Sequence, residues 1–381
     1  MVSQPPTRRL RRTTQAMRWE DATRWMGTMV LLGVASLSIL AVLFIFYFIA
    51  KEAIPFFAVR GFREFFTSPE WYPSGHPPRF GTAAILYGSA LVTLGAIVVA
   101  VPIGLSAAIC LSDLLPFAVR QAAKPIVELL AAIPSVAYGF FALVVLAPLL
   151  QTRGGLLFRT VVWAIGAPVG AILALMLSQT ISLRFPARWQ RGAGLVLLAG
   201  LGLAAWALLR SLAGRAGQLT VESGTNALNA SLILGIMALP TVVSVAEDAL
   251  QAAGREIREG SYALGATRSE TLLRVVLPAS LSGLAAAVIL GVMRAVGETM
   301  VVWMASGNAA QIPRPWYNVL SPVRTLTATI AGDMGEADHV TGSERYAVLF
   351  AMALTLLVFS LLCNLVGEWL VRRSHRRWSG G

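Results

Sequence analysis

The chain has 381 residues, of which 56% are hydrophobic and only 13% charged, with a mean hydropathy of +0.69. Soluble domains carry roughly a quarter charged residues, so a water-soluble globule is excluded and the charge deficit belongs to segments that face lipid. The formal net charge of +12 sits in short basic clusters between long apolar runs, a pattern of membrane orientation and not of one nucleic-acid-binding face.

Taking about 20 apolar residues as one bilayer crossing, the sequence predicts eight spans, at 26–50, 81–112, 124–150, 160–180, 193–212, 226–246, 280–304 and 346–371. Lipid offers no partner for a free backbone amide or carbonyl, so all eight are expected as helices, which makes the fold all-α and polytopic. A basic arm over 1–25 carries Arg8, Arg9, Arg11, Arg12, Arg18 and Arg24, and no small-residue cleavage pattern follows the first run. That run is therefore read as a retained helix with the N-terminus in the cytoplasm. Alternating sides from there puts more Lys and Arg into cytoplasmic segments than outside ones, with a short basic tail at 372–381, although Arg153 and Arg159 weaken the local contrast. Both termini are expected on the cytoplasmic side of the membrane.

Three connections exceed simple turns. Residues 51–80, expected outside, hold Phe56, Phe57, Phe62, Phe65, Phe66, Trp71 and Tyr72; they suit either an amphipathic segment in the headgroup plane or an aromatic anchor for the second helix. Residues 305–345, also outside, are polar and mixed and fit the docking of a soluble partner. Residues 247–279 face the cytoplasm and read as helix, turn, helix. Gly265 sits where a left-handed residue would end the first helix, Thr267 or Ser269 can cap the second, and Glu270 in its first turn suits the positive end of the dipole. Pro278 closes the second helix as the chain re-enters the membrane.

The spacing within this last segment is specific. Glu259, then Gly265 six residues on, then nine residues, then Val275-Val276-Leu277-Pro278 resembles the EAA loop of bacterial ABC importer permeases, with Gly260 and Ser261 in place of the two alanines and Val275 in place of isoleucine. Span 7, with Gly291 and Arg294-Ala295-Val296-Gly297-Glu298-Thr299-Met300, resembles the PstC-type phosphate importer permeases. So do Glu128-Leu129-Leu130-Ala131-Ala132-Ile133-Pro134-Ser135-Val136-Ala137-Tyr138-Gly139 in span 3 and Tyr87-Gly88 through Val101-Pro102-Ile103-Gly104 in span 2.

The resemblance implies a MetI-like permease core of about six helices, from 26–151 and 226–371, with 152–225 as a two-helix insertion. It also implies a coupling helix that docks in a separate ATPase subunit, through Glu259, Gly260, Gly265, Ala266, Thr267 and Pro278. The expected partners are a PstA-type permease, PstB-type ATPase subunits and a PstS-type external phosphate-binding protein, with inorganic phosphate as the substrate.

Arg294 is the one basic residue inside a predicted span, and a guanidinium at mid-depth costs about 3 kcal/mol on insertion scales. Glu298, four residues on, is expected on the same helical face as its partner. The planar donors of Arg294 match two phosphate oxygens, while Glu298 can accept from a protonated phosphate oxygen and repel a fully deprotonated anion such as sulfate. A permanent structural ion pair is the competing reading. Thr299 completes the expected substrate set; Ser135 and Asn308 are weaker candidates, because hydroxyls and amides in spans commonly bond a neighbouring helix.

No Gly-x4-Gly-Lys-Ser/Thr loop is present, so ATP hydrolysis is expected on another subunit. His76, His339 and His375 fall in different loops, and no metal, cofactor or catalytic set is expected. The reading is a permease subunit of an ATP-driven phosphate importer. The alternatives are a permease for another oxyanion, molybdate or sulfate, or an energy-independent channel or membrane scaffold, which would have no use for a coupling loop.

Overall fold

The structure is a computed structural model that describes residues 14–186, 189–336 and 343–378. The arm before residue 14, His339 and the last three residues lie outside the described residues, as do the side chains of Arg18, Arg24 and His375. The architecture is all-α apart from a two-residue β-ribbon, as the hydropathy required. Its helices are α1 (Thr14–Thr67), α2 (Ala83–Ile109), α3 (Phe117–Ala132), α4 (Ser135–Phe141), α5 (Ala147–Ser182), α6 (Gln190–Gly217), α7 (Ala227–Ala252), α8 (Arg255–Ala263), α9 (Arg268–Thr271), α10 (Leu277–Ala279), α11 (Leu281–Val296), α12 (Met300–Ala305), α13 (Leu326–Met334) and α14 (Glu344–Trp378). π-Helical turns at Cys110–Leu114, Ala142–Leu146 and Leu272–Val276 extend or join several of them.

The centre of the bundle is the contact between α2 and α7. Ala84, Gly88, Val92, Ala96, Ala100, Gly104 and Ala108 recur every fourth residue along α2 and all are buried. Small side chains are what let two helices approach closely where lipid supplies no hydrophobic drive. A Cβ on Gly95 would stand 2.4 Å from Ser231 Oγ, and one on Gly104 would stand 2.8 Å from the Val242 side chain. Ser231 uses the close approach to donate across to the Val92 carbonyl at 3.2 Å. Onto this pair α11 packs against α7, α14 against α11, and α1 against α14.

Span boundaries differ from the hydropathy reading in two places, each for a local reason. Pro134 forces Ile133 into an extended conformation (φ −68°, ψ 127°), so α3 ends there and has no buried residue. Past Pro134 the expected loop at 151–159 is helical, and Ser135–Ser182 runs as one helical stretch of 48 residues. Its two glycines serve close contact instead of a turn: Gly154 packs on Val221 and Gly155 on the Gly217 carbonyl. At 1.5 Å per residue the stretch is about 70 Å long, more than twice a bilayer core, and it is interrupted at Arg153 (φ −127°, ψ 17°). Beyond that bend, α5 pairs with α6 through Gly166 on Leu209 and Gly170 on Ala205.

Six helical stretches among the described residues are therefore long and apolar enough to cross a membrane. The pair Arg268–Ala279 and Leu281–Val296, bent by 70°, makes a possible seventh. The eight predicted crossings differ from six because 124–150 and 160–180 run into one another and because 280–304 is represented only by the bent pair.

The aromatic segment after the first span continues α1 to Thr67, with Pro55 inside and Gly61 breaking the helix at φ +78°. Phe56, Phe65, Trp71 and Phe80 are buried against Val348, Leu349 and Met352 of α14, so these rings form a protein core and not a headgroup layer; Phe62 and Tyr72 remain exposed. Arg60 pairs with Glu344 at 2.7 Å and lies 5.5 Å over the Phe80 ring. Trp71 Nε1 donates to Asp333 at 3.2 Å, and Asp333 also takes Arg324, which joins the 51–80 segment to the 305–345 segment.

The turn into α7 is equally tight. Asn226 caps α7 by accepting from the Asn229 amide, and the buried Asn229 side chain donates to the carbonyls of Ala142 and Gly224. A Cβ on Gly224 would fall 1.9 Å from the Ala147 carbonyl oxygen. Gly224→Ala should accordingly destabilise the chain by about 1–3 kcal/mol through overpacking. Gly202→Ala, with open space around it on α6, should be neutral or stabilising by up to about 1 kcal/mol. Thermal unfolding of the two purified variants side by side checks this; equal midpoints would refute the packing argument.

Candidate functional site

Two structures stand where the sequence placed function, an elbow at one end of the bundle and a break inside a predicted span. The elbow begins beyond α7, where Gly254 (φ +77°) turns the chain into α8. Gly265 (φ +84°) ends the first limb, a conformation that costs a side chain about 1–2 kcal/mol and glycine nothing. Thr267 then caps α9 with a reciprocal capping box: its hydroxyl accepts from the Glu270 amide at 3.3 Å, and Glu270 accepts from the Thr267 amide at 3.0 Å. The expected helix, turn, helix is present, with Thr267 and not Ser269 as the cap.

Ser261 and Thr271 hydroxyls bond across the elbow at 2.9 Å and hold the two limbs together. Glu259, Gly260, Gly265 and Thr267 are exposed, Ala266 and Pro278 half-buried. Pro278 sits in α10 just before the 70° bend at Ser280 that starts α11. Leu264, beside the turn, is 91% exposed, with Ile257, Tyr262 and Leu273 also presented outward.

Charged pairs tie the elbow end of the bundle together. Glu247, on the last turns of α7, is 1% exposed and stands 3.3 Å from Lys124 and 3.8 Å from Arg120 of α3, while Gln251 donates to it at 2.7 Å. Arg258 of α8 donates to Asp113 at the end of α2 (3.2 Å) and to the carbonyls of Leu250 and Gly254. The signal in the sequence was a run of mixed charges, which does not distinguish a buried carboxylate from a wet one; only the fold of α3 against α7 does so.

The expected substrate residues are separated. α11 ends at Val296 and α12 begins at Met300, so Glu298 is not one helical turn beyond Arg294. The anticipated i, i+4 ion pair is absent: no carboxylate stands within 4 Å of Arg294 among the described residues. The physical reason is Gly297, where the helical hydrogen bonding stops. Arg294 is exposed on α11, whereas Glu298 is only 9% exposed and lines a cavity of about 320 Å³ between α2, α11 and α14.

Ser89, Thr93, Thr325, Thr327 and Thr355 share that cavity. Most of their hydroxyl protons are committed to backbone carbonyls, Thr327 to that of Glu298 itself at 2.6 Å. Thr299 stands at the N-terminus of α12 without a side-chain cap bond. Asn308 turns back to the Trp303 carbonyl, and Ser135 is half-buried at the start of α4. The chain thus offers a buried acceptor lining a cavity and a cation on an exposed face.

Comparison with known proteins shows the family. The family model described as binding-protein-dependent transport system inner membrane component matches residues 100–379. The probable ABC transporter permease protein YqgH of Bacillus subtilis is 30% identical over 349 residues, covering 91% of this chain and 90% of that protein. The phosphate transport system permease protein PstC of Mesorhizobium japonicum is 31% identical over 314 residues, covering 82% and 79%. PstC 1 of Mycobacterium tuberculosis is 28% identical over 383 residues, covering 96% and 97%.

The capping box makes the elbow sensitive to acid. The amide and hydroxyl of Thr267 donate to the Glu270 carboxylate and hold its pKa below the ordinary value. Because the folded pKa is the lower one, the contribution is complete above the unfolded pKa and lost as pH falls through the folded one. Thr267→Ala should loosen α9 by about 1 kcal/mol, read as faster amide hydrogen exchange confined to the elbow at neutral pH. The wild-type difference should vanish in strongly acidic buffer. Unchanged exchange in the variant would rule the box out as a stabilising element.

Proposed function

The chain belongs to the binding-protein-dependent transport system inner membrane components, the permease subunits of ABC importers, and from that premise we propose that it forms the inorganic phosphate path together with a second permease chain. The elbow carries this reading. A short helical lever with an exposed apolar tip at Leu264, fixed to spans by Arg258–Asp113 and Glu247–Lys124, transmits force only if something outside the membrane moves it. In this reading that engine is a PstB-type ATPase subunit, which places the elbow and both termini in the cytoplasm. The opposite end faces a PstS-type binding protein, and the second membrane chain is of the PstA type.

Phosphate is favoured over molybdate or sulfate by the relatives named PstC and by the chemistry of span 7. Arg294 presents bidentate donors on a face left open for a second chain, and a guanidinium there needs an anion to offset its burial once that chain covers it. Glu298 and Thr299 stand at the break between α11 and α12. A discontinuous helix in a membrane is found where it lines a path or cavity, and the break lets its two halves move separately. Glu298 supplies an acceptor that a protonated phosphate oxygen satisfies and sulfate does not.

Arg294→Ala should abolish labelled phosphate uptake by the assembled transporter in vesicles while the partner subunits still copurify, and Arg294→Lys should retain a fraction. Uptake at the wild-type rate in Arg294→Ala would remove the substrate role. Competition by excess sulfate or molybdate should be weak in the wild type and stronger in Glu298→Gln.

A further inference from the structure

A second cavity, of about 710 Å³, lies at the elbow end of the bundle, between the end of α2, the start of α3 and the limbs α8 and α9. Four arginines line it, Arg120, Arg255, Arg258 and Arg268, against the single carboxylate of Asp113. Arg120 and Arg258 are built into the wall. Arg120 Nε and Nη2 donate to the carbonyls of Leu111 and Ser112 at 2.8 and 2.6 Å. Arg258 donates to Asp113 and to the carbonyls of Leu250 and Gly254, and both side chains are at most a quarter exposed.

A guanidinium has five N–H donors, so these contacts leave each arginine with donors to spare. Asp113 is engaged by Arg258 and Glu247 by Lys124 and Arg120. Arg255 and Arg268, one on each limb of the elbow, have no carboxylate within 4 Å among the described residues. The cavity therefore has an uncompensated positive lining with low-dielectric helix ends behind it, which concentrates anions, and planar forks that match phosphate oxygens in pairs.

We propose that this cavity is a binding site for a phosphate-type oxyanion, either free inorganic phosphate or the headgroup of an anionic phospholipid, distinct from the transport path at Arg294. An oxyanion seated there bridges Arg255 on α8 and Arg268 on α9 to Arg120 on α3, and so clamps the lever to the spans it must move. The site takes its cytoplasmic location from the proposed orientation, but its existence and its test do not depend on that orientation.

The test uses the full chain in nanodiscs of zwitterionic lipid, with thermal unfolding followed at constant ionic strength in chloride and in rising inorganic phosphate. A second set of nanodiscs contains phosphatidylglycerol and no added phosphate. Wild type should show a saturable upward shift of the midpoint in one arm or both, the arm identifying the source. Arg255→Gln/Arg268→Gln, measured against its own chloride baseline, should need at least tenfold more ligand. Arg274→Gln, an elbow charge outside the cavity, and Arg294→Ala should keep the wild-type response. No shift in either arm, or the same shift in the double variant as in wild type, overturns the proposal; loss of transport in Arg294→Ala leaves it standing.

Discussion

The close approach of α2 and α7 is the contact on which the remaining structure depends. In hydrocarbon, apolar side chains gain little from leaving lipid, so helix association rests on packing and on polar bonds that packing permits. The run of Ala, Gly and Val at every fourth position of α2 permits both: the backbones come near enough for Ser231 to reach the Val92 carbonyl. Once this pair is fixed, α11 has a surface on α7 to lie against, with Gly291 standing 2.6 Å from the side chain of Val242 if given a Cβ. The cavity holding Glu298 and the seat of the elbow both follow from where α11 then lies.

The same seam ends in charge. Asp113 lies in the π-helical turn that follows α2 and Glu247 on the last turns of α7, and each carboxylate is taken by a cation from a neighbouring element, Arg258 of α8 and Lys124 of α3. Removing one member of such a pair leaves an unpaired charge in a poorly solvated place, which is why these contacts act as fixed joints and not as loose surface pairs. The elbow is therefore a rigid extension of α2 and α7, stiffened within itself by the Ser261–Thr271 bond and the Thr267 capping box. Rigidity on one side and an exposed apolar tip on the other are the two properties a lever needs.

Between α11 and α12 the opposite quality appears. α11 ends at Val296 and α12 begins at Met300, so the residues proposed for the substrate path lie where helical geometry lapses. This break divides Arg294 from Glu298 and assigns them to different environments, one exposed and one buried. In the proposed assembly the second membrane chain completes the anion site that these two residues begin.

Much of this was legible in the sequence. Composition fixed the solvent, apolar run length fixed most of the helices, and the elbow could be read down to its turn and a choice of two caps, because a left-handed glycine and a hydroxyl cap are local chemistry that needs no distant partner. The Pro134 interruption, which the predicted span 124–150 ran through, has a local steric cause in its ring on Ile133. What the sequence left undecided were relations across the chain. The helix through 151–159 persists because Gly154 and Gly155 meet Val221 and Gly217; the phenylalanines after the first span are core because α14 covers them; and Glu247 is buried because α3 lies over it. Each depends on which segment arrives opposite, and residue type sets only what a position tolerates, while the packing of remote helices decides whether it faces lipid, water or another side chain.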